Sequence, residues 1–173
     1  MNPTTHASRF VRIAAGMTLA FALTSATGAD SGRQMPIMPK AYVQECATCH
    51  TAYPAGMLPA ASWKRIMNGL DKHYGTDASL DAAMLLQLGN WLQANAASGR
   101  RATAEPPQDR ITLSDWFVRE HRKVDATVWK LASVNSASNC AACHGAADQG
   151  RFKERELIFP AGLDARYRRT WRD

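Results

Sequence analysis

Apolar residues recur along this chain at helical rather than alternating spacing. After Pro59, Trp63, Ile66, Met67 and Leu70 fall on one helical face, which His73 and Tyr74 extend to a stop at Gly75. A second helix is expected over roughly 79–97, with Leu85, Leu88 and Leu92 on one side and Trp91 nearby. Asp77 or Ser79 would cap it. In ITLSDWFVREHRKVDATVWK, Phe117, His121, Val124 and Val128 stand at i, i+4, i+7 and i+11, with Ser114 or Asp115 to cap the start. Arg119, Glu120, Arg122 and Lys123 flank His121 on the outward side. Between the second and third helices GRRATAEPPQDR, 99–110, reads as a loop or linker from its Gly, Pro and charge content. Strand signal is scarce, so the fold class is mainly α with little β structure.

The first thirty residues follow a different pattern. Arg9 and Arg12 precede an apolar run over 13–23, no acidic residue occurs before Asp30, and small residues surround Ala26 and Ala29. That is the plan of a cleavable secretory signal. Eleven apolar residues are too few to cross a hydrocarbon core of about 30 Å. The expected organisation is a signal peptide at 1–29 and a single exported, soluble domain at 30–173.

Export changes how the four cysteines read. They fall into two copies of one pattern, CATCH (Cys46, Cys49, His50) and CAACH (Cys140, Cys143, His144). C-x-x-C-H is the spacing at which two thiols attach one edge of a haem and the following histidine reaches the iron. A Cys₄ zinc site would leave both histidines unexplained. A redox dithiol calls for one C-x-x-C near a βαβ pattern, and a disulfide across so small a loop adds little stability. Two covalently bound haems c, on Cys46 and Cys49 and on Cys140 and Cys143, account for every thiol. They also supply apolar surface to a chain whose hydrophobic 46% is rich in alanine, so folding is expected to need them.

The far side of each iron needs histidine or methionine in an ordinary electron carrier. His6 leaves with the signal and His50 and His144 are proximal, so His73 and His121 remain, one for each haem. Beyond the signal the methionines are Met35, Met38, Met57, Met67 and Met84, none of them C-terminal to Met84. A downstream methionine is therefore impossible for the second haem, and open for the first through Met57, Met67 or Met84. His73 follows His50 by 23 residues and His121 precedes His144 by 23, so each half can supply its own distal ligand. The crossed arrangement stays open.

The runs CATCHTAYPAGMLPAASWKRIMNGLDKHYGTDASLD, WFVREHR and NCAACHGAADQGRF resemble the small periplasmic dihaem cytochrome c family over about 39–160. The resemblance implies a small helical c-type cytochrome, a bis-histidine electron carrier of the periplasm. It implies His50 and His73 at one iron, and His144 and His121 at the other. Its implied partners are redox proteins, a membrane b-type cytochrome and a small high-spin c-type haem protein among them. The first haem half would span 39–98, the linker 99–110 and the second half 111–160, with a basic tail at 161–173.

Charge adds little to this picture. The formal +6 becomes +4, 19 basic against 15 acidic side chains, once Arg9 and Arg12 leave with the signal. Four haem propionates offset much of it, so nucleic-acid binding is not indicated. Arg166, Arg168, Arg169 and Arg172, with Tyr167 and Trp171, form a basic tail. It is either a docking face for an acidic partner or an anionic membrane, with at most peripheral contact, or a solvated terminus. No acid/base pair beyond the haem ligands is singled out, so the chain reads as a monomeric electron-transfer protein and not an enzyme. The rivals are a haem enzyme or sensor whose distal histidine dissociates, and a haem subunit of a larger oxidoreductase.

Overall fold

A computed structural model describes Met1 and residues 36–171. The signal peptide expected at 1–29 lies outside the described residues, Met1 apart. The chain divides into two compact units, Met1–Gly32 and Arg33–Asp173, and the fold described below belongs to the second. Among the described residues there is no strand; two isolated antiparallel bridges join His73 to Thr76 and His144 to Leu157. No described helix is long and apolar enough to cross a membrane.

Helix α1 (Lys40–Cys46) begins after Pro39 and ends at the first cysteine of CATCH. Helix α2 (Ala60–Asn68) likewise starts after a proline, Pro59, whose fixed φ suits a helix entry. Trp63 and Met67 are buried on the predicted face, and the indole Nε1–H donates to Ala55 O at 2.6 Å. Helix α3 (Ala82–Ala94) packs on α2 through Leu88 and Leu92, each 1% exposed. Its cap is Asp81, which accepts the Met84 N–H at 2.8 Å, and not Asp77 or Ser79 as the pattern suggests. Asp77 instead accepts Ser79 N–H at 2.9 Å and closes its own turn. Ala97 N–H donates to Leu58 O at 2.8 Å, so residues 40–97 close around one apolar core.

Segment 99–110 is more ordered than its composition suggests. It carries a short helix α4 (Arg100–Thr103) and a 3-10 turn at Pro107–Asp109. Arg65 on α2 reaches across to it, donating to Asp109 through Nε at 2.9 Å and Nη2 at 2.6 Å and to Glu105 at 2.7 Å. The Arg65 guanidinium holds the Asp109 carboxyl below its ordinary range.

The second half is built from turns. Helix α5 (Asp115–Glu120) starts at Ser114, whose Oγ accepts Phe117 N–H, the expected cap. It stops at His121, well short of the predicted run to Val128. Asp125 accepts both the backbone N–H and the hydroxyl of Thr127, a local bond that competes with helix continuation. The chain then passes through 3-10 turns at Val128–Lys130, Cys140–Ala142, Ala147–Gln149 and Glu154–Glu156 before helix α6 (Tyr167–Thr170).

The tail folds back onto this half. Trp171 is 8% exposed, clusters with Val128, Val134 and Leu163, and donates its indole N–H to Lys123 O at 3.2 Å. The Arg168 side chain, Arg172 and Asp173 lie outside the described residues. Burying an aromatic at 171 makes the end of the chain structural, so Trp171→Ala is expected to cost on the order of 3 kcal/mol. A denaturant melt of the holoprotein checks this; an unchanged midpoint would show that the indole packs against nothing that matters.

Candidate haem centres

The end of α1 sets the first centre. Cys46 closes the helix, Cys49 follows after a turn, and His50 leaves with its ring turned inward. Burial, and then Glu45, push the Cys46 thiol up to about 11 before any haem is attached. The Nδ1 of His50 lies 2.7 Å from Thr51 O. An Nδ1–H given to that carbonyl fixes the ring and leaves the Nε2 lone pair for a metal. Tyr53 stacks on the same imidazole, centroids 4.9 Å apart and planes inclined 18°.

Opposite His50 stands His73, ring centres 6.1 Å apart and planes inclined 27°. It is not on α2, as the apolar spacing suggests. The helix ends at Asn68, a 3-10 turn at Leu70–Lys72 follows, and His73 lies beyond it, tied to Thr76 by a 3.0 Å backbone bond. A cavity of about 500 Å³ lies at this pair, walled by Trp63, Met67, Leu88 and Leu92, with Cys46 and Cys49 on its lining. Burial, then His50, lower the His73 pKa and keep its imidazole neutral. Of the three methionines open to this centre, Met67 lines the wall, while Met57 and Met84 do not.

The second centre comes from the turn at Cys140–Ala142. His144 N–H donates to Cys140 O at 2.8 Å and Ile158 N–H to Cys143 O at 2.9 Å, pinning the motif against 157–158. Burial raises the Cys140 thiol to about 11 and raises Cys143 as well. His121, at the end of α5, faces His144 with ring centres 6.2 Å apart and planes inclined 84°. Its Nδ1 is 2.9 Å from Phe117 O, and Phe117 stacks on its ring at 4.0 Å. Burial, then His121, hold His144 down to about 4; its buried Nδ1 has no partner. The structure thus brings His73 to His50 and His121 to His144, each within its own half.

A metal ion between two imidazoles needs about 2.0 Å to each nitrogen and about 1.1 Å more to each ring centre, or about 6.2 Å overall. Both pairs meet that spacing, both motifs present their thiols beside a histidine, and the first wall is apolar. The residues fit an iron porphyrin at each pair. Among the described residues no group of three or more His, Cys, Asp or Glu is gathered to hold a metal ion alone, and none of the four cysteines is in a disulfide.

Residues that spacing did not single out tie the site together. Tyr53 OH donates to Ser138 O at 2.7 Å, two residues before Cys140, so a side chain stacked on His50 touches the second motif's approach. Tyr42 OH in turn donates to Tyr53 O at 2.7 Å and fixes that backbone. Both Ser138 and Cys140 also line the first cavity. The only signal for Tyr53 in the sequence is its place in the YP-x-G-x-LPA-x-SW segment.

Residues 42–152 match the family model described as dihaem cytochrome c. The chain is 32% identical to the diheme cytochrome c of Shewanella baltica OS155, whose X-ray structure superposes with a TM-score of 0.63 over 72% of this chain and 96% of that one. It is 41% identical to the crystal structure of DHC from Rhodobacter sphaeroides, TM-score 0.58, covering 67% and 98%. A further diheme cytochrome c structure from Rhodobacter sphaeroides is 38% identical, TM-score 0.60, covering 69% and 100%. No curated protein matches.

Proposed function

The chain belongs to the dihaem cytochrome c family and carries two covalently attached haems c, and from that premise we propose that it is a periplasmic electron carrier with each iron held between two histidines. The observation that carries this reading is the pair of opposed imidazoles, ring centres 6.1 and 6.2 Å apart.

Bound there, each haem supplies a one-electron Fe(III)/Fe(II) couple. Every other part of the work falls to this chain's residues. Cys46 with Cys49, and Cys140 with Cys143, tether the two groups. His50 with His73, and His144 with His121, would each hold one iron from two sides and would leave no position for oxygen, peroxide or substrate. The carbonyls of Thr51 and Phe117 orient two of the four rings. Histidine in place of methionine sets a low potential, since Met/His ligation raises it. Trp63, Met67, Leu88 and Leu92 give the first centre an apolar wall. Transfer between the halves follows the contact of Tyr53 with Ser138 and the wall that the first cavity shares with Cys140.

The two halves are parts of one domain, and the partners are redox proteins, with a membrane b-type cytochrome on one side and a small high-spin c-type haem protein on the other. The chemistry given to this chain is outer-sphere transfer, not turnover. Electronic and EPR spectra of the purified holoprotein in both oxidation states test the ligation. Two low-spin haems with no methionine–iron charge-transfer band are expected. That band, or a high-spin signal accounting for one whole haem, would overturn the reading.

A further inference from the structure

Segment 105–110 crosses the outer side of His73. Tyr74, adjacent in sequence, sets its ring edge-on to the His73 ring at 4.9 Å and donates its hydroxyl to Gln108 O at 3.2 Å and Asp109 O at 3.1 Å. The Arg110 guanidinium lies over the Tyr74 ring, 4.3 Å from its centroid. Arg65, anchored on α2, grips Asp109 with two nitrogens. Asp109 and Arg110 also line the cavity that His73 faces.

Tyr74, Gln108 and Asp109 all have positive φ, at 49°, 56° and 55°. None of them is glycine, so each holds a left-handed conformation that L side chains resist. Such backbone persists only where surrounding contacts over-determine it. Here the contacts are the Arg65 grip and the Tyr74 hydroxyl. Behind His73, between α2 and this segment, a crevice of about 220 Å³ is lined by Gly69, Lys72, His73, Gln108 and Asp109. The imidazole therefore has somewhere to go when it is not pressed inward. His121 is held differently, by its own helix, through Phe117 O and the stacked Phe117 ring.

We propose that 105–110 is a strap, locked by Arg65 on Asp109 and by Tyr74, that keeps His73 towards His50, and that unlocking it opens the first centre alone to small neutral ligands such as carbon monoxide. Arg65, Asp109 and Tyr74 act through His73 and are positioning residues. The proposal rests on the bis-histidine reading, because it needs His73 as the ligand displaced.

Carbon monoxide added to the reduced holoproteins, followed in the Soret band, tests it. Wild type is expected to bind none, while Arg65→Ala binds one equivalent per chain and leaves the second haem low-spin. Arg65→Lys keeps a cation beside Asp109 and is expected to restore much of the wild-type refusal. Tyr74→Phe, which removes only the hydroxyl, unlocks the strap by a second route and covers the case in which Arg65→Ala fails to fold. A low-spin first haem that refuses carbon monoxide in both Arg65→Ala and Tyr74→Phe would end the strap proposal. Wild type that already binds the gas would instead count against the bis-histidine reading, so the two failures are distinct.

Discussion

Replacing His73 with alanine turns one of the two haems five-coordinate and high-spin, and leaves the other as it was. Two facts set this expectation. His73 is the imidazole opposite His50, at 6.1 Å between ring centres. His121 faces the other proximal ring, so the second centre has its own supply. The reduced variant is expected to bind carbon monoxide at one haem, and the potential of that haem alone is expected to move. His73→Met, a ligand of similar reach, restores six-coordination with a higher potential, because Met/His ligation raises it. His121→Ala produces the mirror result at the second centre. Redox titration with EPR checks all three. Loss of low-spin signal from both haems in His73→Ala would mean that the pairs are not independent, and no loss at all would remove His73 from the iron.

The chain made without its haems is expected not to fold. Without the porphyrin, a cleft of about 500 Å³ walled by Trp63, Met67, Leu88 and Leu92 stands open to water at the first centre, and the packing those side chains would make on the haem is lost. The second half is poorer still in its own apolar core, which consists of Val128, Val134, Leu163 and Trp171. Burial of the porphyrins stabilises only the native state and therefore drives folding. Far-UV circular dichroism of the haem-free chain is expected to lack the helical signal of α2 and α3. A cooperative, native-like melt from that material would show that the side chains suffice by themselves.

Much of the first half was legible in the residues. Trp63, Met67, Leu88 and Leu92 are buried on the faces that their spacing marks out, because those helices pack on each other and periodicity reports such packing. The same reasoning failed at His73 and His121. Both lie just past a helix end, each turned towards the histidine opposite it, and a side chain beyond the last helical turn need not keep the helix's period. Phe117, Val124 and Val128 look helical in sequence, yet the chain turns at His121 and Asp125 binds Thr127 locally. The strap was invisible for another reason. Arg65 and Asp109 are 44 residues apart, and no local pattern announces a charge pair of that separation. Two covalent haems c could be read at once, because C-x-x-C-H is a covalent constraint on spacing and not a packing preference.

The inclinations within the two histidine pairs, 27° and 84°, have an electronic consequence. Nearly parallel imidazoles donate into one and the same iron d orbital, which separates dxz from dyz and quenches orbital angular momentum. Nearly perpendicular imidazoles act on both orbitals alike and leave them close in energy. With a histidine pair on each iron, two centres of identical ligand atoms would be magnetically distinct, the first expected to be rhombic and the second strongly axial in the EPR spectrum.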